Sequence, residues 1–94
     1  MIVITQVNGE PYSFEVAAFS DAVQQRVLYL IIHSGTFVVA EKCLSDEWQQ
    51  IVNHFRPPEL AASIFRAIDA ADTQALQENI KPAGEMAGFV LKRL

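Results

Sequence analysis

The chain has 94 residues, 51% hydrophobic and 19% charged, with a formal net charge of −4 and one cysteine. One domain over 1–94 is expected, whose folding removes about 60–65% of the surface exposed by the unfolded chain. High hydrophobicity at low net charge excludes disorder, and four Gly with four Pro exclude collagen-like and low-complexity chains.

The first element predicted is a β-hairpin, because Asn8-Gly9 lies between two β-rich runs and supplies the positive φ of a two-residue type I′ turn. With Val7 and Glu10 flanking the turn, Thr5 faces Tyr12, Val3 faces Phe14 and Met1 faces Val16 on the core side. Ile4 with Ser13 and Ile2 with Glu15 share the other side. Pro11 falls opposite Gln6 at a non-hydrogen-bonded position, where its missing N–H blocks a third strand and leaves 12–16 as an edge near the turn. Ser20-Asp21 then reads as the start of a helix running to about residue 34, with Gly35 at its C′ position. Its stripe of Val23, Val27, Leu30 and Ile31 is widened by Leu28, Tyr29 and Ile32, so this helix must be covered on more than one side. Residues 36–40 are β-branched and read as a third strand, with continued helix as the alternative. Ser45 is expected to cap a second helix, with Trp48, Ile51, Val52 and Phe55 at helical spacing. Pro57-Pro58 ends it, and Pro58 suits the first turn of a third helix with the stripe Leu60, Ile64, Phe65 and Ile68. Asp72 or Thr73 caps a short segment through Leu76 and Ile80 that Pro82 stops. The tail, 88–94, reads as a strand or a helical turn. The fold class expected is therefore α+β: an N-terminal hairpin, with a third strand near 36–40, packed on a long central helix and followed by two or three short helices.

Signals for chemistry are sparse. A lone cysteine closes no intramolecular disulfide, which points to a reducing compartment, the cytoplasm. The N-terminus alternates and lacks a basic region, unlike a signal peptide. The longest apolar run, 27–32, is far shorter than the roughly 20 residues of a membrane span. Eleven acidic residues against seven basic disfavour nucleic acid. Cys43 as a nucleophile needs His33 or His54 as a base, yet no nucleophile signature surrounds it. His33, Cys43 and His54 match no metal-ligand spacing, so neither metal nor cofactor is expected. The histidines read instead as a helix-end residue and a polar-face residue. Asp69, Asp72 and Glu78 match no calcium loop and read as a solvated acidic face. Gly84 and Gly88 form no phosphate cradle.

What remains is protein binding. Residues 1–80 hold ten acidic residues against four basic, and the tail adds Lys81, Lys92 and Arg93 against Glu85, a distribution suited to docking on a basic partner or to self-association. So many apolar residues exceed one small core, which places some aromatic side chains at an interface. The residues expected there are Tyr29, Phe37, Trp48, Phe55 and Arg56, aromatic and Arg side chains being the types that dominate contact centres. An open strand edge offers a second route by strand addition. The expected function is a small non-enzymatic inhibitor, regulator or assembly factor, of bacterial or phage style, that binds another protein and is open to homodimerisation. The alternative is a thiol-dependent enzyme or redox element using Cys43 with a histidine.

Overall fold

The structure, a computed structural model, describes residues 1–43 and 45–94. Strands take 44% of the chain and helices 29%, so a sheet organises the fold. Strands β1 (Ile2–Val7), β2 (Glu10–Asp21), β3 (Arg26–His33), β4 (Thr36–Lys42) and β5 (Trp48–Asn53) form an antiparallel meander in chain order. Helices α1 (Leu60–Ala70) and α2 (Gln74–Glu78) follow, then the two-residue strand β6 (Lys81–Pro82), a 3-10 turn (Ala83–Glu85) and helix α3 (Met86–Arg93).

The N-terminal hairpin has the expected register, from Val7 opposite Glu10 to Ile2 opposite Glu15. Asn8 at φ 53° and Gly9 at φ 83° make the turn. A second turn of the same kind, Ser34 at φ 48° and Gly35 at φ 74°, joins β3 to β4. Gly35 therefore serves a hairpin and ends no helix. The long central helix expected over 21–34 does not exist, and the hairpin-on-helix architecture is overturned: its residues form the end of β2, a turn over 22–25 and β3. The reason is burial on both faces. In β3, Leu28, Leu30 and Ile32 alternate with Tyr29 and Ile31, and Leu28, Leu30, Ile31 and Ile32 are all buried. A central strand covered on both sides shows an unbroken apolar run with no alternation to betray it. Ser20 caps no helix there, and Asp21 closes the β2–β3 turn instead, its Oδ1 accepting the Gln24 N–H at 3.2 Å.

The second expected helix is also a strand. In β5, Val52 faces Val39 and Gln50 faces Ala40, leaving Ile51 as the extra residue of a bulge. That insertion offsets the alternation by one residue and mimics a helical stripe through Trp48, Ile51, Val52 and Phe55. Ser45 is exposed and caps no helix.

The third helix forms as read. α1 buries Leu60, Ala61, Ile64, Phe65 and Ile68, and its first backbone bonds are accepted by the carbonyls of Pro57 and Pro58. Against one face of the sheet, α1 and α2 enclose Val3, Phe14, Val16, Ala18, Ile31, Val38, Ala40 and Phe55. On the other face Met86, Phe89 and Val90 of α3 pack on a layer that includes Ala17, Phe19, Leu28 and Leu30. The tail is thus helical, and it is what makes β3 a strand buried twice. Among the described residues no helix is long and apolar enough to cross a membrane.

Candidate functional site

The strand ends that carry Tyr29, Lys42 and Trp48 meet at one corner of the sheet. Val27 is the register neighbour of Lys42 one step beyond the Leu28–Glu41 pair, and Lys42 faces Trp48. Both Lys42 and Trp48 point to the α1 face, where the last turn of α1 reaches them. The Trp48 ring stacks on Phe65 at 4.6 Å with planes 5° apart, and Tyr29 meets it edge-on at 5.1 Å. The Trp48 indole N–H donates to both carboxylate oxygens of Asp69, at 3.2 and 3.1 Å. The Lys42 ammonium donates to the same carboxylate and lies 5.6 Å from the Trp48 ring centre. A hydrogen bond from a cation to a carboxylate favours the charged lysine, so Asp69 first, and the charges of Asp69 and Asp46 after it, hold the Lys42 pKa above its ordinary value against an opposing burial effect.

Next to these rings an open depression of about 1160 Å³ is framed by the 22–25 turn and the loop after β4. Its charged lining is Asp21, Glu41 and Asp46 against Arg26 and Lys42. Arg26 is held between Asp21 at 3.2 Å and Glu41 at 3.8 Å. The Gln24 backbone N–H, and then Arg26, hold the Asp21 carboxyl below its ordinary pKa. Lys42, bound to Asp69, also lies 3.9 Å from Asp46, so both cations are neutralised from within, and the Asp21 and Glu41 side chains are only 15% and 24% exposed. Asp46 is the most accessible of these, its side chain 91% exposed.

Of the five residues expected at an interface, Tyr29 and Trp48 share this corner, both half-buried. Phe55 does not: it is wholly buried and packs on Phe14 at 5.8 Å. Phe37 lies on the opposite face against His54, rings 4.8 Å apart. Arg56 is exposed, its guanidinium donating to the Phe55 carbonyl at 3.0 Å, away from the corner. Sequence reasoning missed Lys42, Phe65 and Asp69. Asp69 was expected on a solvated acidic face and is instead the shared acceptor of the corner. Lys42 and Asp69 are 27 residues apart, and no local pattern joins them.

Cys43 also lines the depression, its Sγ 3.7 Å from Gln49 Oε1. His54 is bonded to Phe37 at the opposite end of β4. Six residues of extended chain separate Phe37 from Cys43, roughly 20 Å. His33 lies at that far end too, where it faces Thr36. Its ring packs on Tyr12, Phe14 and Phe55, and its Nδ1–H donates to the Ser13 carbonyl at 3.0 Å. Neither imidazole reaches the thiol as a base. Among the described residues no three His, Cys, Asp or Glu side chains converge as ligands of a metal ion.

The chain matches no protein-family model, no curated protein and no solved structure.

Proposed function

We propose that this chain is a small non-enzymatic protein-binding protein, an inhibitor, regulator or assembly factor that seats a basic segment of its partner at the Tyr29–Trp48 corner. The observation that carries this reading is the pairing of two half-buried aromatic rings with a depression whose rim has more carboxylates than cations. Aromatic rings supply contact area at little entropic cost, and the net carboxylate excess around the depression, with the exposed Asp46 at its rim, steers a cationic partner toward them. The whole-chain charge of −4 adds long-range attraction of the same sign. A single, partly exposed cysteine fits work in the reducing cytoplasm.

Site-specific photo-crosslinking in cells of the native source tests the reading. A photoreactive residue at Gln24 or Ser45, both exposed beside the depression, is expected to trap the partner, whereas one at Glu78 on α2 is not. Neutralising Glu41 and Asp46 together, as Glu41→Gln with Asp46→Asn, is expected to weaken capture roughly tenfold at low salt. Equal adducts at all positions, or none at the corner, would overturn the assignment.

A further inference from the structure

Sheet edges are templates for further pairing, and natural sheets guard them with proline, charge, bulges or covering elements. Three edges of this sheet are guarded. The bulge at Ile51 interrupts β5. Pro11 sits on the part of β2 that lies beyond the end of β3, which pairs only from Glu15 onward. The far half of β2, past the end of β1, is taken by β6 at Phe19 and Ser20. The edge expected beyond Pro11 over 12–16 is thereby shortened, because β3 takes β2 from Glu15 onward.

The outer edge of β1 carries no such guard. Ile2–Val7 contains no charged residue, no proline and no glycine, its register is unbroken, and among the described residues nothing pairs with its outer side. Met1 and Val16 exchange both backbone bonds, N to O at 3.0 Å and N to O at 2.8 Å. Alternation then turns the N–H and C=O groups of Met1, Val3, Thr5 and Val7 toward β2, and those of Ile2, Ile4 and Gln6 outward. The side chains of that outward set share the α3 face, where Ile2 and Ile4 are 60% and 70% exposed. α3 ends next to them: Arg93 donates to Glu15, the cross-strand partner of Ile2, at 2.8 Å, and Leu94 follows with 55% exposure.

We propose that β1 pairs antiparallel with β1 of a second copy, about a two-fold axis through Ile4. The outward set is centred on Ile4, so this register places Ile4 opposite the partner's Ile4 and Ile2 opposite the partner's Gln6. Each pair exchanges its N–H and C=O groups and leaves none of the outward set unpaired. Val3 falls opposite the partner's Thr5, so the facing pairs from Ile2 to Gln6 are all uncharged and add no like-charge contact at the seam. Because the contact is isologous it consumes the unguarded edge on both copies and closes, whereas the bulge on β5 stops growth into a filament. The inference is independent of the partner site, since the Tyr29–Trp48 corner lies at the opposite end of β2 and toward the β5 edge, and both corners of the pair stay open.

Sedimentation equilibrium of the full chain tests it. The wild-type protein is expected to give a dimer mass that dissociates on dilution. Ile4→Lys, at an exposed position, is expected to raise the dissociation constant at least tenfold while circular dichroism shows a folded chain, and Ile4→Glu should do the same. Mixing the two variants is expected to restore a dimer, because only this register sets the two substituted side chains against each other. A wild-type monomer at roughly millimolar concentration, a dimer undiminished by Ile4→Lys, or no recovery in the mixture would each overturn the proposal. A strand captured from a foreign protein would appear as a monomer alone in solution, and the crosslinks at Gln24 and Ser45 report on the other site separately.

Discussion

Lys42 shows how much of this molecule rests on single contacts that span the chain. Its ammonium joins the end of β4 to the last turn of α1 through Asp69, which also accepts the Trp48 indole N–H. The Lys42 pKa is raised in the folded state, so the folded protein holds that proton more tightly than the unfolded chain. The stability this contributes is complete below the ordinary lysine value of 10.5 and is lost as pH rises through the higher folded value. Lys42→Met is therefore expected to lower stability by about 0.5 kcal/mol from neutral pH to about pH 10, the pair being partly exposed, with the gap to wild type closing at more alkaline pH. Urea denaturation across that range measures it, and a gap that widened with pH would contradict the assignment of the proton. Phe55 and Trp48 make a second contrast between residues of one stripe. Both aromatic, one is wholly buried against Phe14 and the other stays half-open at a corner. Their chemical type announced the burial of apolar area, but which ring would be sealed depended on the bulge at Ile51 and on where α1 crosses the sheet.

The turns explain why some elements could be read from sequence and others could not. Asn8-Gly9 declares a hairpin because both residues accept positive φ at low cost, and the flanking register follows from the turn. Ser34-Gly35 adopts the same geometry, yet a glycine after an apolar run is equally suited to ending a helix. The other two turns place Gln25 at φ 53° and Asp46 at φ 63°, and a glutamine carries no turn signal at all. The glycines give an opposed pair of expectations. Gly9→Ala puts a Cβ on a residue at φ 83°, where no neighbour obstructs it but the backbone itself is strained, and should cost about 1 kcal/mol or more. Gly88→Ala, within α3 and with nothing inside 4 Å of the new Cβ, should gain up to about 1 kcal/mol from helix propensity. Paired thermal and denaturant melts decide this, and a Gly9→Ala chain as stable as wild type would refute the type I′ turn.

Taken whole, the molecule is a sheet filled on both faces by helices that arrive late in the chain. α1 and α2 seal one side and α3 the other. α3 is short, and it is tied down by Phe89 edge-on to Phe19 at 5.5 Å, by Arg93 lying 3.3 Å over the Phe89 ring, and by the Arg93–Glu15 bridge. A chain ending at Glu85 should leave Ala17, Phe19, Leu28 and Leu30 uncovered. It is expected to bind a hydrophobic dye such as ANS and to lose near-ultraviolet circular dichroism while keeping most of its far-ultraviolet signal. A truncated chain that stays dye-free and melts cooperatively at the wild-type temperature would show that α3 contributes nothing to the second face.

Local chemistry in the sequence was enough for the N-terminal hairpin and its register and for α1 with its buried stripe. These features are written within a few neighbouring positions, where turn preference and apolar spacing act directly. Tertiary structure alone decided that 21–33 and 48–53 are strands. A segment buried on both faces loses its alternation, and a bulge converts period two into a false helical period, so periodicity misleads in both places. The corner was decided the same way. Tyr29 and Trp48 stood out by type, but Lys42, Phe65 and Asp69 join them only when strand register and the crossing of α1 bring residues from distant parts of the chain to one point. The bare edge of β1 is likewise a property of the assembled sheet, because an edge exists only once the partners of every other strand are known.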